Sequence, residues 1–288
     1  MSIGTQNWKV AMLVSSLVFL PCALLGQAAP ASLDQVEVFV EDANGGVLTG
    51  LGVSDFEMKR GKAICPVISV AQDDEPITIG ILVDTSRSMN DRLQNPEALK
   101  DVIKTFLERS HPNNTYFLVE FASGADLLVD YTQDHQRLLD ALPHSRRAGG
   151  TLLLETLRAC DEKLRQRQGR KALFVVSDGL DVLSDADGSA LPALDLPVFG
   201  LCPMVAGDDF QPRWSELARV CEETGGVFRQ DAQMSREAGR MAALLRGAYR
   251  LGFSCGAPGK DKLKLSLKGS GVKRHGRLIY SKRRLAKS

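Results

Sequence analysis

The chain has 288 residues, of which 44% are apolar, with 36 Lys and Arg against 35 Asp and Glu. That apolar share is ordinary for a globular core and argues against disorder, and the near balance of charge excludes a whole-chain field strong enough to demand nucleic acid. The balance is local only: Lys260 to Ser288 holds eleven Lys or Arg and one Asp, about +10, leaving about −9 on everything before it.

The first residues carry one positive side chain, Lys9, then a mostly apolar run from Val10 to Leu25, then the small and polar stretch Gly26 to Ala31. This is the order of a signal peptide, with cleavage expected near Ala28 or Ala29 and export to the periplasm, envelope or extracellular space. The run falls short of the roughly 20 apolar residues that span a bilayer, so a retained anchor is the weaker alternative. Cys22 follows Phe19-Leu20-Pro21, not the small residues that a lipid-attachment site prefers. Removing the signal segment leaves Cys65, Cys160, Cys202, Cys221 and Cys255, an odd number with no Cys-x-x-Cys spacing, which disfavours zinc or a thioredoxin-like motif. One or two disulfides and buried free thiols both fit this set.

Gln35 to Glu41 alternates apolar and polar residues, the period of a half-solvated strand, and Asn44-Gly45-Gly46 supplies a tight turn after it. From Ile77 onward the rhythm changes to short apolar runs alternating with amphipathic ones, as in strand and helix units around a mostly parallel sheet. Ile77 to Val83 is a buried strand by its unbroken apolarity, and Pro96 to Arg109 spaces Leu99, Val102, Ile103, Phe106 and Leu107 helically. Thr115 to Phe121 and Ala125 to Tyr131 are strands joined by a link too short for a crossover helix, so they form an antiparallel hairpin. A short helix near His135 to Leu142 follows, then a helix from Thr151 to about Arg167, a strand Ala172 to Ser177 and another Pro197 to Cys202. A helix Pro212 to Glu223, a strand Val227 to Gln230 and a last helix from about Ser235 complete the series. The result is a doubly wound, six-stranded, mostly parallel sheet with one antiparallel edge hairpin. After it, Phe253 onward, and Leu263 to Leu267 above all, returns to strand alternation. Neither flank has enough strands to be stable alone, so both are expected to combine in one small β module. The expected organisation is residues 1–28 signal peptide, 29–72 N-terminal β segment, 73–248 α/β domain and 249–288 basic β segment.

The strand Ile77 to Val83 delivers Asp84-Thr85-Ser86-Arg87-Ser88 at its carboxyl end, where open α/β sheets bind ligands. Thr151 follows the Gly149-Gly150 turn, and Asp178 ends the strand Ala172 to Ser177, with Gly179 letting the loop turn away. Hard cations such as Mg²⁺ take oxygen ligands and keep several waters, so these few carboxylates and hydroxyls are sufficient donors. The bland alternative is that Asp84, Ser86 and Ser88 merely cap a helix. The set Asp84, Ser86, Ser88, Thr151 and Asp178 resembles the metal-ion-dependent adhesion site of von Willebrand factor A domains. The order of elements from Ile77 to about Arg246 is similar to that fold. The flanking Asp42 to Leu51 with Asp55-Phe56-Glu57, and Tyr249 to Phe253 with Lys273 to Tyr280, resemble segments of bacterial, acidobacterial-type exported relatives. The resemblance implies a Mg²⁺ (or Mn²⁺ or Ca²⁺) site. Ser86, Ser88 and Thr151 would approach the ion directly, Asp84 and Asp178 would act largely through waters, and an Asp or Glu of a protein partner would complete the shell. The segment from Gly179 to Pro197 departs from the family, being short and rich in Asp.

Other signals are weaker. Asp181, Asp185 and Asp187-Gly188 lack calcium-loop spacing, and His111, His135, His144 and His275 form no metal-binding pair. The basic tail reads as a strand with a wet face sooner than as a polymer or membrane contact, so membrane contact is left to the signal segment or this tail. No Gly-x-Ser-x-Gly and no phosphate loop is present, and no Asp-x-Asp pair stands at the strand end, where Thr85 and Ser86 follow Asp84, so a binding module is the leading class and not an enzyme. A metal-dependent hydrolase and a structural envelope protein with an empty site are the competing readings.

Overall fold

The computed structural model describes residues 34–72, 74–93, 96–142, 149–180, 193–204, 215–255, 263–269 and 276–281. The signal segment, most of the acidic loop with Asp181, Asp185 and Asp187, residues His144 and His275, and the end of the basic tail lie outside them.

The central sheet is built on unbroken apolar strands, which suit positions covered on both faces. Strand β5 (Ile77–Asp84) is buried throughout and has parallel neighbours on both sides, β6 (Thr115–Phe121) and β8 (Arg170–Val176). Beyond β8 lie the parallel strands β9 (Val198–Pro203) and β10 (Phe228–Asp231); beyond β6 lies antiparallel β7 (Ala125–Thr132). Among the described residues the order is β10-β9-β8-β5-β6-β7, the expected six strands with the expected edge hairpin. Chain direction across the sheet reverses between β5 and β8, because β6 follows β5 on one side and β9 follows β8 on the other. The carboxyl ends of these two strands therefore flank the topological switch point, where α/β sheets open a crevice.

Alternate side chains feed two cores. Ile77, Ile79, Ile81 and Val83 of β5 pack with helices α2 (Pro96–Arg109), α3 (His135–Asp140) and α6 (Met234–Arg246), while Leu82 faces α4 (Leu153–Arg165) and α5 (Glu216–Thr224). The helical spacing of Leu99, Val102, Ile103, Phe106 and Leu107 places all five in the first core. Among the described residues no helix is long and apolar enough to cross a membrane.

The flanks interleave as expected. One sheet runs β13 (Arg277–Tyr280), β1 (Asp34–Glu41), β11 (Tyr249–Phe253), β4 (Val67–Gln72); a second runs β12 (Leu263–Leu267), β2 (Phe56–Arg60), β3 (Ala63–Cys65). The two share a third core that includes Val38, Phe56, Met58, Tyr249, Phe253 and Leu265. A Cys65–Cys255 disulfide cross-links residues 190 positions apart, while Cys160, Cys202 and Cys221 are buried free thiols. Burial pushes the Cys160 thiol up to about 12 and raises that of Cys221 as well, so neither is poised as a nucleophile.

One expectation needs correction: β1 is not half-solvated. Val36, Val38 and Val40 enter the module core, but the opposite face, exposed at Gln35, is covered from Glu37 to Glu41 by the α/β domain. Phe39 meets the Phe199 ring edge-on at 5.3 Å, Glu37 pairs with Arg170 at 2.6 Å and Glu41 with Arg229 at 2.5 Å. A charged residue on an alternating strand marks a wet face only if no counter-charge waits opposite, and here two arginines do. The turn after β1 forms as expected: Asp42 Oδ1 accepts from Asn44 N at 2.8 Å and Gly46 N at 2.9 Å.

Candidate metal centre

Strand β5 ends on Asp84, which is 2% exposed, and the chain turns at once into helix α1 (Arg87–Arg92). The turn is fixed by Asp84 Oδ1, which accepts from the backbone N–H of Ser86 at 2.8 Å. Its other oxygen, Oδ2, accepts from Ser177 Oγ at 2.6 Å, and Ser177 Oγ in turn accepts from Gly179 N at 2.9 Å. Ser177 thus stitches the end of β5 to the segment after β8 that carries Asp178. Sequence reasoning gave Ser177 no role; its place beside Asp178 at a strand end was the available signal.

Ser86 stands at the N-cap position of α1, yet its side chain makes no capping hydrogen bond. Its Oγ lies instead 3.3 Å from Ser88 Oγ, so the two hydroxyls converge. This departs from the capping alternative, in which the hydroxyl would be spent on the first turn of the helix. Asp84, through its bond to Ser86 N, does perform a local turn function as well.

Thr151, buried, reaches the same rim by backbone bonds. Leu152 N donates to Ala122 O at 2.8 Å, directly after β6, and Thr85 N donates to Phe121 O at 2.9 Å. Thr85 itself turns aside, its Oγ1 donating to the buried Glu120 at 2.9 Å. Asp178 is fully buried just past β8. Its Oδ1 accepts from Leu180 N at 3.2 Å, while Oδ2 makes no hydrogen bond. Arg92 Nε stands 3.4 Å from that Oδ2. Gly179, at φ +73°, makes the exit: a Cβ there would lie 2.1 Å from Ser215 Oγ, so both the backbone angle and the space demand glycine.

The electrostatics are those of a site short of positive charge. Burial is the main cause that raises the Asp84 carboxyl from 3.8 to about 6, opposed by the hydrogen bonds from Ser177 and Ser86 and reinforced by the charge of Asp178. Among the described residues no group of three or more His, Cys, Asp or Glu converges, so a cation here must rely on hydroxyls and two carboxylates. That donor set suits a hard, partly hydrated divalent ion, and the unbonded Asp178 oxygen fits such an ion or its water.

Residues 79–180, which include all five candidate residues, match the von Willebrand factor type A domain. The chain has the fold of a von Willebrand factor type A domain. A von Willebrand factor type A structure from Catenulispora acidiphila superposes with TM-score 0.51 at 13% identity, covering 87% of this chain and 73% of that one. The A-domain structure of the ArnB paralog VWA2 from Sulfolobus acidocaldarius gives TM-score 0.48 at 14% identity over 85% of this chain and 75% of that one. Proximal thread matrix protein 1 of the mussel byssus, in a form with a zinc-occupied MIDAS motif, gives TM-score 0.45 at 17% identity over 66% of this chain and 50% of that one. No curated protein matches the chain in sequence.

Proposed function

We propose that this A domain is an exported, divalent-metal-dependent protein-binding module of the adhesion type. The observation that carries the reading is the pairing of Ser86 and Ser88 hydroxyls at 3.3 Å beside a buried, charge-poor carboxylate pair, with the Ser86 side chain withheld from its helix. Ser86, Ser88 and Thr151 would supply neutral oxygens to Mg²⁺ (or Mn²⁺ or Ca²⁺), and Asp84 and Asp178 would hold its waters. When bound, the ion offers a strongly positive position in a partly desolvated rim, to which a partner's Asp or Glu is attracted. Asp84 is kept in place by Ser177 and Ser86, so the protein's own contribution is to pre-position donors and exclude bulk water. Action outside the cytoplasm is supported by the signal-peptide order of the first residues and by the Cys65–Cys255 disulfide, a bond that persists in oxidising compartments.

The test is capture of partners from the native envelope on immobilised protein, with Mg²⁺ or with chelator, beside Thr151→Ala. Retention in Mg²⁺, release by chelator and loss in Thr151→Ala at unchanged circular dichroism is the expected result. Capture indifferent to both chelator and the substitution overturns the adhesion mechanism.

A further inference from the structure

We infer that Arg92 is a built-in counter-ion that competes with the divalent cation for Asp178 and so sets the metal affinity of the site, an inference that rests on the metal reading above. The case begins with what each buried carboxylate lacks. Both Asp84 oxygens accept hydrogen bonds, from Ser86 N and Ser177 Oγ, whereas Asp178 has one oxygen bonded to Leu180 N and one with no hydrogen bond. Asp178 is fully buried, and a buried charge without compensation is costly. The group facing that bare oxygen is the Arg92 guanidinium, its Nε 3.4 Å away and its side chain 15% exposed.

At 3.4 Å the contact is longer than the roughly 2.7–2.9 Å of a strong charge-assisted bond, so it neutralises without locking. Arg92 also belongs to the six-residue helix α1 whose first turn carries Ser88 and whose N-cap is Ser86. A cation drawn to those hydroxyls and to Asp178 therefore arrives beside a positive charge on the same short element. Like charges repel by an amount that depends on their separation and on how dry the rim is. Arg92 accordingly steadies the metal-free protein and opposes metal entry. With Asp178 recruited by the ion, Arg92 must give up its contact.

The experiment is calorimetric Mg²⁺ titration of the full-length protein and of R92Q, with thermal unfolding in chelator and in saturating Mg²⁺. R92Q is expected to bind Mg²⁺ about three- to tenfold more tightly, as loss of one nearby positive charge implies. Its melting temperature should fall in chelator and recover toward that of the parent protein in Mg²⁺. Equal Mg²⁺ affinity in both proteins, or weaker binding by folded R92Q, overturns the role of Arg92 while leaving the metal site standing. No binding by either protein overturns the metal reading and this inference together. Should R92Q fail to fold, the Arg92 Nε–H resonance of the parent protein, assigned by its absence in R92K, decides. It should shift and exchange faster as Mg²⁺ saturates; indifference to Mg²⁺ that calorimetry shows to be bound overturns the proposal.

Discussion

Two regions of this molecule bury acidic side chains, and they treat them in opposite ways. Where the β module meets the A domain, Glu41 is paired with Arg229 at 2.5 Å and Glu237 with Arg240 at 2.7 Å, and Arg170 reaches Glu37 at 2.6 Å. At the carboxyl ends of β5 and β8, Asp84 and Asp178 are buried together, one of them neutralised in part by hydroxyl and amide donors and the other faced by one arginine at 3.4 Å. Matched buried charges hold two surfaces in register, whereas mismatched ones are retained at a cost that structure alone does not explain. The comparison teaches that acidity by itself marks neither role, and that two carboxylates buried together, with an arginine facing only one of them and at 3.4 Å, are what points to a ligand.

The sharpest way to break the comparison is to remove one acid from each region. In chelator, Asp84→Asn should stabilise the protein at neutral pH by up to about 3 kcal/mol, because the folded carboxyl titrates near 6 against an ordinary 3.8. The sign follows from the raised value: the parent protein keeps its full stability from this group below pH 3.8, loses it as pH rises through about 6, and carries the whole penalty above. Subtracting the unfolding free energies of Asp84→Asn from those of the parent across that range in chelator should trace this loss; a flat difference contradicts the strained carboxylate.

A smaller effect of the opposite sign is expected at the junction. Glu41→Gln removes the charge opposite Arg229, which keeps a 3.8 Å contact to Glu237, and should destabilise by about 1–3 kcal/mol while leaving Mg²⁺ affinity unchanged. Denaturant unfolding beside Mg²⁺ titration checks both halves. A stabilising Glu41→Gln, or one that alters metal binding, would erase the distinction between the two regions.

Much of this was legible in the sequence for identifiable reasons. Ile77 to Val83 announces a doubly covered strand because no charged residue interrupts it, and Asp84, Ser86 and Ser88 announce a candidate site because they leave such a strand together. Asp178 was legible for the same reason on β8. What escaped depends on contacts made far along the chain. Ser177 lies 93 positions from the Asp84 it orients, and the Cys65–Cys255 pairing spans 190. Arg92 belongs to no motif in the sequence, and the Asp178 it faces lies far along the chain. The alternation of β1 suggested a wet face because the arginines that cover it, Arg170 and Arg229, belong to other strands.

The central claim, that the carboxyl edge of the A domain holds a divalent cation, is tested most directly by calorimetric Mg²⁺ titration of the parent protein beside Ser86→Ala/Ser88→Ala. The account predicts saturable single-site binding in the parent and its loss in the double variant at unchanged fold; absence of binding in the parent, or equal binding in both, contradicts it.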